Sequence, residues 1–271
     1  ARAGASAQGV VDELDRLAGL AIDRCVPLGP IGTGPTRRDG RPITEAVTDR
    51  LFTTAAVLDQ EIDLQHWARE SAAAPNRLLE PQQAAIAAIT GHDALVVIVG
   101  PAGTGKTTTT AHAVDTLRAQ HRPVVGLAPS GKAADVLARE ASCRTATVAG
   151  FLTRHRTDAS RWPAGTTVVL DEAGMIATDD LARLVDLVRR HGWRLVAIGD
   201  PAQLAAVGRG GVFAHWCTTV PHVELATPRR FRQPWEAEAS LLLRAGDPAA
   251  AEIYASHHRL RTVQPSLVPV E

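Results

Sequence analysis

Residues 94–110 read ALVVIVGPAGTGKTTTT, an apolar run that breaks into a glycine-rich turn and then into a threonine-rich segment. The pattern GxxxxGK[ST] of a phosphate-binding loop is met in full by residues 100–107. The required context is present as well, because a strand-like run precedes the loop and a helical pattern follows it. A loop of this kind predicts a site for the phosphates of a nucleotide.

The residue types of the loop suit phosphate chemistry. Its glycines let the backbone approach phosphate oxygens without a Cβ in the way. Lys106 can reach the terminal phosphates, and the hydroxyl of Thr107 can ligate the accompanying Mg²⁺. Many ATPases and kinases share such a loop, so the loop alone names no reaction. The loop residues predicted to bind the nucleotide are Gly100, Pro101, Ala102, Gly103, Thr104, Gly105, Lys106, Thr107 and Thr108.

From residue 78 onward, apolar β-branched runs alternate with helical patterns. This alternation predicts an α/β fold, a P-loop NTPase with a parallel sheet covered by helices on both faces. Ligands of such sheets bind at the carboxyl ends of the strands, so the polar residues that follow the four strands are expected to form one rim. The strands are predicted at 94–99, 123–129, 166–172 and 193–200, and the helices at 82–90, 106–120, 131–140 and 178–191, with a helical turn near 147–154.

The N-terminal residues show no chemistry and predict a small, mainly helical module. Apolar residues at helical spacing predict helices over 10–22 and 48–70. Between them, residues 27–42 are so rich in Gly and Pro that they predict a surface loop with at most a hairpin. Residues 71–77 are predicted to be a linker.

Charge balance, cysteine number and the length of the apolar runs indicate which class of protein this chain belongs to. The 29 basic and 29 acidic residues balance to zero net charge, so any contact with nucleic acid must come from a local patch. The three cysteines are far apart and read as apolar fillers in a reducing compartment rather than as a zinc site. No apolar run approaches the length of about 20 residues that crosses a bilayer, and residues 1–30 lack the basic, apolar and small-residue pattern of a signal peptide. A cytoplasmic protein without a membrane partner is expected.

Residues 168–172, VVLDE, place two acids at the end of the third predicted strand. Asp171 can hold Mg²⁺, and Glu172 can orient or deprotonate an attacking water. An alternative is that the two acids only begin a helix, where the dipole favours negative charge.

Residues 199–204, GDPAQL, follow the fourth predicted strand. The amide of Gln203 can contact both a γ-phosphate and a neighbouring element, as a nucleotide sensor must. A bare polar turn is the alternative.

In this order, GPAGTGKT, LAPSGKAA, LDEAGM, GDPAQL and RRF resemble the motifs of superfamily 1 helicases. The subgroup that they resemble most contains the exonuclease V alpha subunit and the conjugative relaxase-helicases. The resemblance covers residues 78 to about 256, and residues 232–254 are most similar to relaxase-helicases of actinobacterial type. It implies a RecA-like ATPase domain that uses ATP and Mg²⁺ to move along single-stranded DNA in the 5′ to 3′ direction.

The resemblance assigns roles around the nucleotide. In LLEPQQAAI, residues 78–86, Gln82 is similar to the glutamine that recognises adenine, with Gln83 as the fallback. In LATPRRFR, residues 225–232, Arg230 is similar to the arginine that reaches the γ-phosphate. The alternatives are ordinary helix-start amides and an exposed arginine cluster. The implied catalytic residues are Lys106, Glu172, Gln203 and Arg230, and the implied metal ligands are Thr107 and Asp171.

The resemblance also implies contacts with DNA. Pro129, Ser130 and Lys132 match the motif that lines the single-strand channel, although Ser130 is equally a good helix N-cap. TVAGFL, residues 147–152, matches a second strand-contacting motif, but the histidine common there is absent. Phe151 is the candidate from that motif to stack on bases, with Trp216 as another, and core packing is the alternative for both.

Three regions are expected: a helical N-terminal module and linker at 1–77, a RecA-like ATPase domain at 78–235, and a helical tail at 236–271. The resemblance implies that a second RecA-like domain or a partner chain completes the ATP cleft, and the residues that follow Arg230 are not expected to form that domain. The chain is therefore expected to be a fragment of a longer helicase. A nucleotide-dependent DNA-binding or regulatory module with little turnover stays open, and a P-loop kinase is a remoter option.

Overall fold

The computed structural model of the chain describes residues 16–18, 21, 25–28, 51–72, 80–101, 103–155, 162–203, 206, 208–225, 231 and 233–260. Contacts divide the chain into two compact units, Ala1–Asp63 and Leu64–Glu271. This division falls inside a helix, and the domain boundaries expected from the sequence stay a prediction. Within the described residues, no helix combines the length and the apolarity that crossing a bilayer requires.

The first unit contains a small antiparallel pair of strands. Strand β1 (Val26–Leu28) pairs with β2 (Leu51–Thr53), and helix α1 begins at Ala55 and ends at Ser71. The prediction of a helix over 48–70 was therefore wrong at its N-terminal end, because the helix begins at Ala55. The hydroxyl of Thr54 accepts a hydrogen bond from the Val57 amide (3.3 Å), which is the contact of an N-cap and explains why the helix begins only after it.

Several N-terminal predictions lie largely outside the described residues. Of the helix predicted over 10–22, only residues 16–18 and 21 are described, and these are helical. Most of the loop at 27–42 and of the linker at 71–77 also lies outside them, so both stay predictions.

The second unit is built on a six-stranded sheet. The order of its strands is β5-β4-β6-β7-β3-β8, and all five pairings are parallel. The predicted α/β fold with a parallel sheet is confirmed. The strands are β3 (Leu95–Val99), β4 (Val124–Ala128), β5 (Arg144–Thr147), β6 (Thr167–Leu170), β7 (Arg194–Gly199) and β8 (Val223–Glu224).

The sheet has apolar layers on both faces. Neighbouring residues of β3 alternate between the two: Leu95 and Val97 belong to one core cluster, and Val96 and Ile98 to the other. Both clusters are buried, which is why the strand reads as a continuous apolar run rather than an alternating one. The helices are α2 (Pro81–Thr90), α3 (Lys106–Ala119), α4 (Gly131–Ala141), α5 (Val148–His155), α6 (Thr178–His191), α7 (Val212–Thr219), α8 (Pro234–Arg244) and α9 (Ala249–Ser256).

The four predicted strands correspond to β3, β4, β6 and β7, the four inner strands of the sheet. The sequence analysis missed β5 and β8, which form its two edges. Strand β5 reads RTAT and is only partly buried, and β8 has two residues. Edge strands lack the continuous apolar run that burial on both faces imposes, so periodicity did not reveal them.

Candidate nucleotide-binding site

The four inner strands end at one edge of the sheet, as the sequence predicts. The phosphate-binding loop follows β3, the acid pair follows β6, GDPAQL follows β7, and the PSGK segment follows β4. Ladder hydrogen bonds continue to this rim: the Gly100 amide donates to the Gly199 carbonyl (3.0 Å), and the Asp171 amide donates to the Leu127 carbonyl (2.8 Å). Hydrogen bonds of the sheet therefore fix the first residues of two of these loops at the rim.

The phosphate-binding loop depends on glycine at three positions. Gly103 and Gly105 have φ values of 82° and 86°, in the left-handed region that other residues avoid. A Cβ at Gly100 would lie 2.8 Å from Thr104 Oγ1 and 2.9 Å from Lys106 Cγ, so no side chain fits there. The buried Thr104 hydroxyl donates to the Pro101 carbonyl (2.9 Å), which closes the turn.

The lysine of the loop lies between the loop and the acid pair. Lys106 Nζ donates to the Gly100 carbonyl (2.7 Å), and its positive charge lowers the pKa of Asp171. This hydrogen bond holds the ammonium group at the position where a loop of this type binds the terminal phosphates of a nucleotide.

The acid pair is half-buried, and one of its two residues has a strained backbone. Burial, followed by the charge of Glu172, raises the pKa of Asp171 above its usual value, against the smaller lowering effects of the Glu172 amide and Lys106. Glu172 has φ 50° and ψ 45°, a left-handed conformation that is unfavourable for a residue with a Cβ. Such strain occurs preferentially at functional sites.

The residues at this end of the sheet fit a Mg²⁺ ion. The half-buried carboxyl of Asp171 lies next to Glu172, whose negative charge raises its pKa after the larger effect of desolvation, and a divalent cation would offset that negative charge. The Asp171 carboxylate and the Thr107 hydroxyl are hard oxygen donors of the kind that Mg²⁺ prefers.

The structure also brings the predicted adenine-recognising residue to the loop. The Nε2 atom of Gln82, in the first turn of α2, lies 2.9 Å from where a Cβ at Gly105 would be. Gln82 is half-buried against the loop, whereas the fallback Gln83 is exposed. Of the two glutamines, Gln82 is thus the one placed beside the loop.

Gln203 belongs to a hydrogen-bonded cluster that the sequence did not reveal. Its Nε2 donates to Oδ2 of Asp200 (3.2 Å), a residue only 4% exposed. Arg244, at the end of α8, donates to the same carboxylate through Nη2 (2.7 Å) and Nε (3.1 Å). Burial alone would raise the pKa of Asp200, but the hydrogen bonds from Arg244, the Ala202 amide and Gln203 outweigh it and lower that pKa.

The predicted DNA-contacting residues divide into two groups. Ser130 and Lys132 are exposed at the start of α4, and Pro129 is half-buried beside them. The Ser130 hydroxyl accepts from the Ala133 amide (3.2 Å), so its N-cap role is present in the structure. This cap leaves the exposed Lys132 in the first turn of the helix.

Phe151 does not present its ring to a base. It is 3% exposed, stacks on His155 at 4.0 Å and packs edge-on against Trp193 at 6.0 Å. Trp216, the other stacking candidate, is fully buried. Core packing, the alternative weighed for both aromatics, is what the structure shows. Ala102 and Arg230 lie outside the described residues, so their predicted roles stay predictions.

The comparison with protein families identifies the chain. The family described as "AAA domain" matches residues 77–265, which include every loop of the rim described above. The chain belongs to this family. Its AAA domain carries the six-stranded parallel sheet and the phosphate-binding loop.

Relatives of this AAA domain include proteins of plasmid transfer and of DNA processing. The conjugal transfer protein TraA of Agrobacterium fabrum is 36% identical over 185 residues, which is 68% of this chain and 17% of that protein. The multifunctional conjugation protein TraI of Escherichia coli is 36% identical over 152 residues, 51% of this chain and 9% of that protein. The RecBCD enzyme subunit RecD of Mycolicibacterium smegmatis is 34% identical over 204 residues, 63% of this chain and 36% of that protein.

Among solved structures, the Pif1 helicase from Candida albicans is similar in fold. It has a TM-score of 0.50 and 18% identity, over 72% of this chain and 50% of that one. Together with the relatives, this likeness confirms the RecA-like fold and the resemblance to superfamily 1 helicases. The chain spans about a sixth of the TraA protein's length, so the activities of whole relatives come to it only as proposals.

Proposed function

We propose that the chain is the ATP-hydrolysing motor domain of a DNA helicase that moves 5′ to 3′ along single-stranded DNA, as part of a conjugative relaxase-helicase. One observation carries the proposal: adjacent parallel strands deliver a phosphate-binding loop, a half-buried acid pair and Gln203 to the same rim. A kinase would need the loop, but the Asp200–Gln203 turn beside it favours a motor that senses its nucleotide.

The proposed roles follow the positions of the side chains. The loop amides and Lys106 bind the phosphates of ATP, and Gln82 contacts its base. Thr107 and Asp171 would hold Mg²⁺, which would neutralise charge on the phosphates. Glu172 orients and deprotonates the attacking water. Gln203 and Arg230 contact the γ-phosphate, where Arg230 stabilises the charge that develops during transfer.

The proposed partners are single-stranded DNA and a second RecA-like domain. Ser130 and Lys132 are exposed on the same rim as the nucleotide site, which suits a DNA strand that runs across the carboxyl ends of the strands. The second domain, on this chain's parent protein or on a partner, would complete the ATP cleft and the DNA groove.

Hydrolysis of ATP with and without single-stranded DNA tests the proposal. The two lysines of the chain, Lys106 and Lys132, offer a matched pair of alanine substitutions. We expect DNA to stimulate hydrolysis by the unchanged chain. Lys106→Ala should lose both binding and hydrolysis, and Lys132→Ala should keep ATP binding but respond less to DNA. If DNA has no effect while Lys106→Ala still loses nucleotide binding, the motor proposal fails and a nucleotide-dependent binding module takes its place.

A further inference from the structure

Asp200 lies at the centre of a polar cluster at the end of β7. Its carboxylate is buried and accepts hydrogen bonds from three residues. The Ala202 amide donates to Oδ1 (3.0 Å), Gln203 Nε2 donates to Oδ2 (3.2 Å), and Arg244 donates to both oxygens. Only Arg244 brings a positive charge to this carboxylate among the contacts of the described residues.

We propose that Arg244 is a positioning residue for Gln203, acting through the Asp200 carboxylate. This inference rests on the proposed function, because it assigns a residue that sets the geometry of the nucleotide sensor. It goes beyond the motif of residues 199–204, since Arg244 lies 44 residues from Asp200 in the sequence and on another element.

The geometry explains how one side chain fixes another. The planar guanidinium of Arg244 donates through Nη2 (2.7 Å) and Nε (3.1 Å) to the same oxygen, and Nε also lies 3.3 Å from the second one. Contacts from a rigid fork hold the plane of a carboxylate. With that plane held, Oδ2 accepts from Gln203 in one direction, and this hydrogen bond places the exposed amide of Gln203.

The charge of Arg244 matters as much as its shape. Asp200 is 4% exposed, and a carboxylate at such a depth needs a positive partner to remain ionised without a large penalty. Without Arg244, the carboxylate would turn toward water or toward other donors. Gln203, which is exposed on its other side, would then sample several rotamers.

The pair also connects the sensor to a helix outside the rim. Arg244 occupies the last residue of α8, and α8 packs against α9 as a helical hairpin. Any displacement of α8 changes the position of the Arg244 guanidinium. The Asp200 carboxylate would move with the guanidinium, and the amide of Gln203, which is bonded to that carboxylate, would move in turn. The site is therefore built so that α8 sets the state of the nucleotide sensor.

A second ion pair in the same hairpin provides a matched control. Arg259 pairs with Glu236 of α8 at 3.2 Å, whereas the ion-pair partner of Asp200 is Arg244. If Arg244 only pinned α8 in place, removing either arginine would have the same effect on the site. If Arg244 positions Gln203, only its own removal should act there.

The test uses the whole chain and the variants Arg244→Met, Arg244→Lys, Arg259→Met, Gln203→Ala and the double variant of Arg244→Met with Gln203→Ala. We expect Arg244→Met to lower kcat for DNA-stimulated ATP hydrolysis about 10- to 100-fold, as misplacement of a positioned group does, with little change in KM. Arg244→Lys should recover part of this loss, and Arg259→Met should behave as the unchanged chain.

The double variant decides whether Arg244 acts through Gln203. It should be no slower than Gln203→Ala alone, because an absent side chain cannot be misplaced. Effects of the two substitutions that multiply would overturn the inference. Equal losses in Arg244→Met and Arg259→Met would overturn it as well.

A measurement without turnover separates this inference from the proposed function. If the unchanged chain hydrolyses no ATP, the motor proposal fails, and the inference is then decided by NMR of the nucleotide-free chain. We expect Arg244→Met to shift the Gln203 side-chain amide toward the value of free glutamine and to speed hydrogen exchange of the Ala202 amide about 10-fold or more. Arg259→Met should change neither. Unaltered signals in Arg244→Met would contradict the inference.

Discussion

Among single residues, Asp171 shows how function is built at the expense of stability. Burial, and then the charge of Glu172, raises its pKa in the folded chain. A carboxyl with a higher pKa folded than unfolded binds its proton more tightly in the native state. Its contribution to the free energy of unfolding is therefore unfavourable above the folded pKa, and the penalty disappears as the pH falls below the unfolded value.

We predict that Asp171→Asn raises the midpoint of thermal unfolding of the nucleotide-free chain by a few degrees at pH 7, about the effect of 1 kcal/mol in a domain of this size. The neutral amide avoids the cost of the buried charge, so the gain should shrink as the pH is lowered toward about 4, near the ordinary pKa of Asp. The same variant should lose the extra stabilisation that Mg²⁺ and ATP give the unchanged chain. Asp115→Asn, at an exposed site on α3, is the control and should do neither. A less stable Asp171→Asn would argue against a costly buried charge.

Glu172 combines a left-handed backbone with a position next to Asp171, the proposed metal ligand. We predict that Glu172→Gln keeps ATP binding and slows hydrolysis by about 100-fold or more, because a general base contributes about that much. Glutamine preserves size and hydrogen bonding but cannot take a proton. Binding by calorimetry and turnover by phosphate release separate the two effects. An unchanged hydrolysis rate would remove Glu172 from the role of base.

At the scale of elements, the helix that carries Gln82 is held at its far end by a buried arginine. Arg194, the first residue of β7, donates to the Ile89 carbonyl (2.9 Å) and the Asp93 carbonyl (2.8 Å), and more weakly to Ala88 (3.3 Å). The Ile89 carbonyl lies in the last turn of α2, where carbonyls have no partner within the helix. Burial, and then the nearby charge of Arg122, lowers the pKa of Arg194 to about 10, which still leaves it charged at neutral pH.

We predict that Arg194→Met lowers the free energy of unfolding by roughly 2–4 kcal/mol, since it removes a buried charged donor and leaves the buried Ile89 carbonyl without it. Denaturant unfolding measures the change. Arg122→Met is the matched control, because Arg122 donates to Thr90 and Gly91 at the same helix end but is less buried. The decrease in the free energy of unfolding should be smaller in Arg122→Met than in Arg194→Met. Equal losses in the two variants would mean that burial of the unpaired carbonyls is not the cause.

The sequence predicted the inner elements and missed the contacts that are remote in the chain. Strands such as Leu95–Val99 were predictable because burial on both faces imposes an apolar run. The loop from Gly100 to Thr107 was predictable because phosphate binding requires particular residue types at neighbouring positions. The partner of Asp200 was not predictable. An arginine in the last turn of a helix is favoured by the helix dipole alone, and nothing in the spacing points to a carboxylate 44 residues earlier.

For the whole molecule, zero net charge means that DNA affinity must come from individual positions on the rim. We predict that Lys132→Ala weakens binding of single-stranded DNA and reduces the slope of log K against log salt by about 0.7, the value for one phosphate contact. Arg139→Ala, in the last turn of the same helix, is the control and should leave the slope unchanged. Fluorescence anisotropy over a range of salt concentrations gives both slopes. A slope that stays the same in Lys132→Ala would place Lys132 away from the DNA backbone.

We propose that the strands of the sheet bring their loops together into one nucleotide-binding site. Equilibrium binding of a non-hydrolysable ATP analogue with Mg²⁺ tests this proposal most directly. Titration calorimetry on the intact chain should show one site. Lys106→Ala should weaken binding at least about 10-fold, or about 1.4 kcal/mol, because Lys106 is the cation of the phosphate-binding loop. Equal binding by the unchanged chain and Lys106→Ala, or no binding by the unchanged chain at millimolar nucleotide, would contradict the account.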